Sequence, residues 1–361
     1  MGRLTVHQLG RVEYEDGLKL QKLFGQARSK ELVPDSLLLL EHPPVLTLGR
    51  GGKAQNIVVS EEEIKKLGVE IFQTDRGGDV TYHGPGQIVG YPIFLLPAGR
   101  RDVRRYIRDL EEAIIRALAS FGIRGERIAK WPGVWVVGPR SPAPEKIAAI
   151  GVHISRWQTS HGFALNVNTD LSHFELIIPC GIEEAGVTSI ERQLSRRVES
   201  FEVQSALTTA FGEVFGGSVE IAGPAMRTIS GVVLRKDASG LRVLLLHRTA
   251  ERGDFWQIVT GRVEPGESPA EAAEREVYEE TGLHLPVREL GYRHCFALGD
   301  EVVPAVVEET AFAARWTGDD RVRLDSSEHD RYAWVSVEEA TARLPFRGLR
   351  RAVSLASSAV G

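Results

Sequence analysis

The chain has 361 residues, 42% apolar and 26% charged, with a net charge of −5. That length favours two domains over one, in an ordinary globular balance. The charge argues against general nucleic-acid binding, no apolar run approaches the ~18 residues that span a membrane, and Met1 to Val6 lacks a signal-peptide core. Only Cys180 and Cys295 occur, too few for a disulfide framework or a structural zinc site, so a reducing cytoplasm is the expected compartment.

Leu37 to Leu40 and Val45 to Leu48 read as two strands joined by Glu41-His42-Pro43-Pro44. Ser60, with Glu63 three residues on and then Ile64 and Leu67, reads as a capped helix start. The run Arg76-Gly77-Gly78-Asp79-Val80-Thr81-Tyr82-His83-Gly84-Pro85-Gly86-Gln87 packs four glycines and a proline into twelve residues. Glycine lets backbone approach a ligand closely, and Arg76, Thr81, Tyr82, His83 and Gln87 offer a cation, hydroxyls, an imidazole and an amide. The run is either an ornate turn or one wall of a substrate cleft, and the apolar Ile88 to Leu96 after it reads as a buried strand.

Val103, Tyr106, Ile107, Leu110, Ile114, Ala117, Leu118 and Phe121 recur at helical spacing, predicting a helix over 102–121. Its start carries Arg100, Arg101, Arg104, Arg105 and Arg108, either a solvated face or a docking patch for an acidic protein. Trp131 to Val137 reads as a strand, Pro139 to Pro144 as a surface turn, and Gly162 to Val167 as a further strand. Lys146 leads into the apolar Ile147 to Ile150, where a lysine either snorkels to water or sits half-desolvated. Cys180 stands between Pro179 and Gly181, either as a small buried hydrophobe or as a sulfur presented to a cleft by a shaped turn. Ser200 to Phe215 reads as a closing helix, 216–225 as a turn-rich linker, and Ile229 to Leu234 with Val243 to Leu246 as the first strands of a second domain.

In that second domain Ser268-Pro269 form an N-cap and first turn, and Gly282 a helix stop. Glu276, Glu279 and Glu280 then share one helix face, where like charges repel unless something compensates. A hard divalent cation binds such carboxylates, and Arg275 can bridge to Glu279. A solvated acidic helix is the plainer reading. The whole spacing resembles the Nudix box: Gly261, Glu267, Arg275, Glu276, Val277, Glu279, Glu280, Gly282 and Leu283 stand at all nine specified positions over 23 residues. The resemblance covers residues 226–361. It implies an α/β/α sandwich that hydrolyses a small-molecule diphosphate with Mg²⁺, the metal held by Glu276, Glu279 and Glu280 with Glu267 in support. Phe255 to Gly261 and Arg331 to Val335 resemble the branch acting on nucleoside or pterin triphosphates. Glu308, Glu309 and Glu328 are all candidates for the general base.

The Arg76 to Gln87 run, Lys146 to Gly151, Pro179-Cys180-Gly181 and Leu37 to Gly49 together resemble the lipoyl(octanoyl) transferase family over residues 1–215. The resemblance implies a mixed α/β fold related to biotin and lipoate ligases, with no cofactor for transfer. Cys180 would take octanoate from acyl carrier protein as a thioester, with Lys146 as its base. A lysine of the lipoyl domains of 2-oxoacid dehydrogenases, or of the glycine cleavage H protein, would then receive the acyl group. Arg76, Gly77, Gly78, Asp79, Val80, Thr81, Tyr82, His83, Ala149, Ile150, Gly151, Gly162, Phe163 and Ala164 would line the acyl site. Three alternatives stay open: an ATP-dependent lipoate or biotin ligase; a thiol hydrolase using His83, His153 or His161; and a second domain that is a regulatory sensor.

Overall fold

The computed structural model describes residues 2–138, 141–178, 185–298, 302–318 and 321–360, without the side chains of 141, 142 and 360. One compact unit runs to Gly223, and a second takes Pro224–Leu298 and resumes at Ala305.

The first unit contains β1 (Arg3–Arg11), α1 (Tyr14–Ser29), β2 (Asp35–Glu41), β3 (Val45–Leu48), α2 (Glu61–Lys66), β4 (Glu70–Gln73), β5 (Val80–His83) and β6 (Gln87–Ile93). It continues with α3 (Val103–Ala119), β7 (Glu126–Ile128), β8 (Trp131–Gly138), β9 (Ser141–Ser155), β10 (Gln158–Asn166), β11 (Gly186–Val187), α4 (Ile190–Leu194), α5 (Ser200–Phe215) and β12 (Ser218–Ala222). The main sheet runs β12-β1-β2-β6-β10-β9-β8-β7, with β11 on β9, and a small sheet runs β4-β3-β5. The two strands flanking Pro43-Pro44 therefore enter different sheets. β2 and β6 are apolar on both faces because both are covered. Leu37, Leu39 and Ile88 meet α3 and α5 in the main core. Asp102 caps α3 by accepting from the backbone of Arg104 and Arg105, and the stripe Tyr106, Leu110, Ile114 and Leu118 is buried against the sheet. Each such leucine or isoleucine contributes about 2 kcal/mol.

The 216–225 stretch, read from its glycines as a linker, holds a strand. β12 pairs in parallel with β1, Val219 opposite Leu4 and Ile221 opposite Val6. The alternation Val219-Glu220-Ile221 is the strand signal, and the flanking Gly216-Gly217 and Gly223-Pro224 mask it.

The second unit contains β13 (Met226–Asp237), β14 (Gly240–Arg248), β15 (Trp256–Gln257), β16 (Val259–Arg262), α6 (Pro269–Thr281), β17 (Val287–Leu298), β18 (Ala305–Arg315), β19 (His329–Ser336), α7 (Val337–Arg343) and α8 (Arg347–Val360). Its sheet runs β15-β14-β13-β18-β17, with β16 on β13 and β19 on β14. α6 buries Ala272, Ala273 and Val277 on one face, and α8 buries Leu349, Ala352, Val353 and Ala356 on the other. The result is the α/β/α sandwich expected for this half. No helix among the described residues is long and apolar enough to cross a membrane.

Candidate active sites

In the first unit the Gly-rich run wraps a cavity of about 590 Å³. Backbone bonds zip the run onto Gly49 to Gly51: Arg50 N–H donates to the Arg76 carbonyl at 2.9 Å and Gly51 N–H to Gly78 at 3.0 Å. Gly77 N–H reaches across to Val152 of β9 at 3.0 Å, and a Cβ on Gly151 would lie 2.8 Å from the Gly77 carbonyl oxygen. Glycine at 151 is thus a packing requirement.

Every residue expected at the acyl site lines this cavity except Tyr82. The Tyr82 ring instead packs into the small core, 4.8 Å from the His173 ring and 5.6 Å from Phe174. Arg76 is buried and committed to the loop. Its guanidinium donates to the Thr47 carbonyl at 2.6 Å, to Thr47 Oγ1 at 2.9 Å and to the Gly77 carbonyl at 3.1 Å.

His83 Nδ1–H donates to Gln87 Oε1 at 2.8 Å, and the Gln87 amide donates on to Asn166 Oδ1 at 2.9 Å. Burial first, then the neighbouring His42 and Arg76, push the His83 pKa down to about 3. A ring so hard to protonate is a poor base for a thiol. His161 Nε2 lies 2.7 Å from Asp75 Oδ1, and His153, which does not line the cavity, lies 2.8 Å from the Arg50 guanidinium, so the three histidines read as hydrolase candidates each have a side-chain partner.

Several contributors escaped the sequence reading, among them two tyrosines and two residues of α3. Tyr91 and Tyr14 line the cavity from β6 and α1, and Val103 and Ile107 line it from α3. Tyr91 O–H donates to His42 Nε2 at 2.7 Å, while His42 Nδ1–H donates to the Val12 carbonyl at 2.7 Å. Burial pushes His42 down to about 4, which keeps it an acceptor for Tyr91. An apolar run hides a tyrosine hydroxyl, and only the partner 49 residues away reveals it.

Lys146 lines the same cavity, half-buried, with Nζ 4.6 Å from the centre of the Trp135 ring. Its aliphatic stem and ammonium group are thus held by a cation–π contact. Cys180 lies outside the described residues. Its neighbours are anchored on both sides: Ile178 N–H donates to the Asn56 carbonyl at 2.8 Å, and Val187 pairs with Lys146 in β11–β9. Asn56 in turn donates to Asp79 of the Gly-rich run. Cys295 is buried in the second unit, and burial pushes its thiol up to about 12.

In the second unit Ser268 and Glu271 form a reciprocal capping box on α6, and Gly282 ends the helix at φ 72°. Arg275 carries the compensation that the glutamates require. It donates to Glu267 at 2.8 Å, and to Glu276 and Glu279 at 2.9 Å each. A Cβ on Gly261 would sit 1.8 Å from the Glu276 carboxyl carbon, so the box glycine makes room for that side chain.

Glu280 stands apart from this set. It is buried, its Oε2 has no hydrogen-bond partner among the described residues, and burial followed by Glu276 and Glu328 raises its pKa well above the usual carboxylate range. Ligand atoms of Glu280, Glu328 and His329 lie within 4.8 Å of one another. His329 is 1% exposed with Nδ1 also unpartnered. Two carboxylates and an imidazole with orphaned buried atoms suit a divalent cation. The four expected ligands therefore divide: Glu280 faces Glu328 and His329, while Glu267, Glu276 and Glu279 converge on Arg275.

Of the three general-base candidates, Glu328 is at this cluster, held by Arg252 at 3.3 Å. Glu308 pairs with Arg227 at 3.5 Å. Glu309 shares a sheet face with Ala311 and Ala313, which pack against α8 rather than α6. His329 had no helix-box signal; it becomes visible only when β19 pairs with β14.

Residues 13–212 match the lipoyl protein ligase A/B catalytic domain, and residues 225–354 match the NUDIX domain. An octanoyltransferase of Myxococcus xanthus is 56% identical over 358 residues, covering 99% of this chain and all of that protein. An octanoyltransferase of Rubrobacter xylanophilus is 51% identical over 216 residues, covering 59% of this chain and 94% of that protein. One relative thus matches both units end to end, and the other matches little beyond the first. The chain belongs to the lipoyl protein ligase A/B catalytic family, on its octanoyltransferase side, and carries a Nudix hydrolase domain after it.

Proposed function

We infer that the first unit moves octanoate from acyl carrier protein to a lysine of lipoyl domains, those of 2-oxoacid dehydrogenases and the glycine cleavage H protein, by way of Cys180. The observation that carries this reading is the convergence of Lys146, Ala149 to Gly151, Gly162 to Ala164 and the Gly-rich run on one cavity. Lys146, in its neutral form, takes the Cys180 proton. The thiolate attacks the donor thioester carbon and expels the carrier thiol, to which the proton goes. The acceptor amine then attacks the Cys180 thioester, and as the Cys180 thiolate leaves, the amine's proton passes by way of Lys146 to that sulfur, restoring the thiol. Backbone N–H groups of the Gly-rich run are suited to the oxyanion of each tetrahedral step. Domain boundaries consistent with this reading are 1–223 and 224–361.

The second unit, on this reading, hydrolyses a diphosphate-linked small molecule. Glu280, Glu328 and His329 would hold Mg²⁺, with Glu276 and Glu279 beside them. The ion supplies charge neutralisation at the phosphates and a more acidic bound water. Arg275 fixes three glutamates in one orientation, and Arg252 with Arg248 orients Glu328. Both activities would operate in the reducing cytoplasm, where Cys180 stays a free thiol.

The test is the purified full chain with octanoyl-acyl carrier protein and an apo lipoyl domain, without ATP. Octanoylated lipoyl domain is the expected product. Modification that requires ATP and free octanoate, and survives Cys180→Ala, would instead identify a ligase.

A further inference from the structure

α3 has an N-terminus that its own stability does not explain. Its first turn carries no acid, and Arg104 and Arg105 follow directly on Arg100 and Arg101. Cations at this end oppose the helix dipole, and Arg104 with Arg108 forms a like-charged i, i+4 pair. The other three arginines have local partners. Arg105 faces Asp109 at 4.0 Å, Arg100 donates to the Phe215 carbonyl and Arg101 to the Leu96 carbonyl. Arg104 and Arg108 are exposed and make no ion pair among the described residues. Lys130 is likewise exposed, makes no ion pair among the described residues, and lines the cavity.

The same helix supplies Val103 and Ile107 to the cavity wall, and Val103 is 44% exposed, so the wall reaches the surface there. An apolar strip leading inward thus lies beside positive charge that makes no ion pair among the described residues, Arg104 having the capping carboxylate of Asp102 nearby, with Lys130 at the same cavity. An occupant that fits must bring an apolar chain and negative charge together.

We propose that Arg104, Arg108 and Lys130 form the docking surface for the acidic carrier protein that delivers the acyl chain past Val103 and Ile107. This rests on the transferase reading above. The acceptor fits the surface less well, because the side chain it must insert is a lysine, and a cation is repelled by this rim. The surface acts on encounter and affinity, whereas the chemistry takes place further inside.

The test compares full-length wild type with Arg104→Glu/Arg108→Glu, using octanoyl-acyl carrier protein and octanoyl-pantetheine as alternative donors at low and high salt. For the carrier donor the double variant should raise KM at least about tenfold, and added salt should raise the wild-type KM while lowering that of the variant, whose reversed charges repel the carrier. With octanoyl-pantetheine the variant should match wild type, which separates docking from local damage, and Arg104→Lys/Arg108→Lys should restore carrier use. A carrier KM within twofold of wild type would overturn the surface while leaving the transferase intact. An equal loss with both donors would overturn it as a folding defect. A raised KM for the lipoyl domain alone would assign the surface to the acceptor and likewise overturn the proposal. No transfer from either donor by wild type would instead remove the transferase reading on which it rests.

Discussion

Around the first unit's cavity buried imidazoles are kept neutral by burial, with His42 and His83 pushed down to about 4 and about 3, beside the buried guanidinium of Arg76. On α6 and the turn before it the second unit gathers Glu267, Glu276, Glu279 and Glu280 and holds the first three with the single guanidinium of Arg275. The first arrangement suits acyl transfer, in which a hydrocarbon chain and a thiolate must be kept from water. The second suits phosphate chemistry, in which anionic ligands wait for a cation. The two units therefore answer to different perturbations, and the sharpest experiments are those in which one responds and the other does not.

Removing the sulfur is the largest such perturbation. Cys180→Ala should lower octanoyl transfer by at least ~10³-fold and leave diphosphate hydrolysis untouched. A steady-state assay of both reactions on one preparation checks this, and a joint loss would break the comparison.

Acidity comes next. His42 and His83 have folded pKa values below the ordinary 6.5, so the unfolded chain binds their protons first as pH falls. Their contribution is full above pH 6.5 and is lost as pH falls toward 4, about 3 kcal/mol for a fully buried ring shifted this far. Glu309 in the second unit has the opposite sign. Burial raises it from 4.5 to about 7, so the folded state keeps its proton longer and stability falls as pH rises from 4.5 to 7. Facing Glu309 are His294 of β17, at 3.7 Å, and Ser230 of β13. Calorimetry at pH 5.5 and 7.5 should show two transitions moving in opposite directions, and Glu309→Gln should reduce the movement of the second, leaving the part contributed by the raised Glu280 carboxyl. Transitions that move together would show that these groups do not set the pH response.

Glu279→Gln keeps shape while removing one anionic ligand and one partner of Arg275. Mg²⁺-dependent hydrolysis should fall roughly ten- to a hundredfold, with octanoyl transfer unchanged and the melting temperature almost unmoved, since the 53%-exposed side chain makes only a surface ion pair. Loss of transfer at an unchanged melting temperature would couple the two units.

How much of this was legible in the sequence depended on how local each feature is. The α6 helix was readable end to end, because its cap, stop and glutamate spacing lie within 23 residues. The α3 stripe and its Asp102 start were equally local. The cluster of Glu280, Glu328 and His329 was half legible. Glu280 belongs to the box, but Glu328 and His329 reach it only through β19 pairing with β14. The cavity showed the same limit: Arg76 to His83 announced themselves by composition, whereas Tyr91 looked like one more core residue until His42 met it. Strand β12 was hidden by its glycine-rich flanks, and its pairing with β1 changes a practical choice. A truncation meant to isolate the transferase should end after Gly223, because ending at Gly217 removes an edge strand.

A smaller effect probes Lys146, which lines the cavity together with the cations Arg76 and Lys130. Lys146→Ala should slow alkylation of Cys180 about tenfold at neutral pH and shift its pH profile upward. Unchanged alkylation between pH 6 and 9 would remove Lys146 from the mechanism.

The most direct test of the central claim is the intact mass of the full chain after mixing with octanoyl-acyl carrier protein in the absence of acceptor. The account predicts one octanoyl group, mapped to the peptide containing Cys180 and absent from Cys180→Ala. The buried Cys295, whose thiol is pushed up to about 12, should remain unmodified. An octanoyl group on Cys295, or transfer that proceeds with no acyl-enzyme in Cys180→Ala, would contradict it.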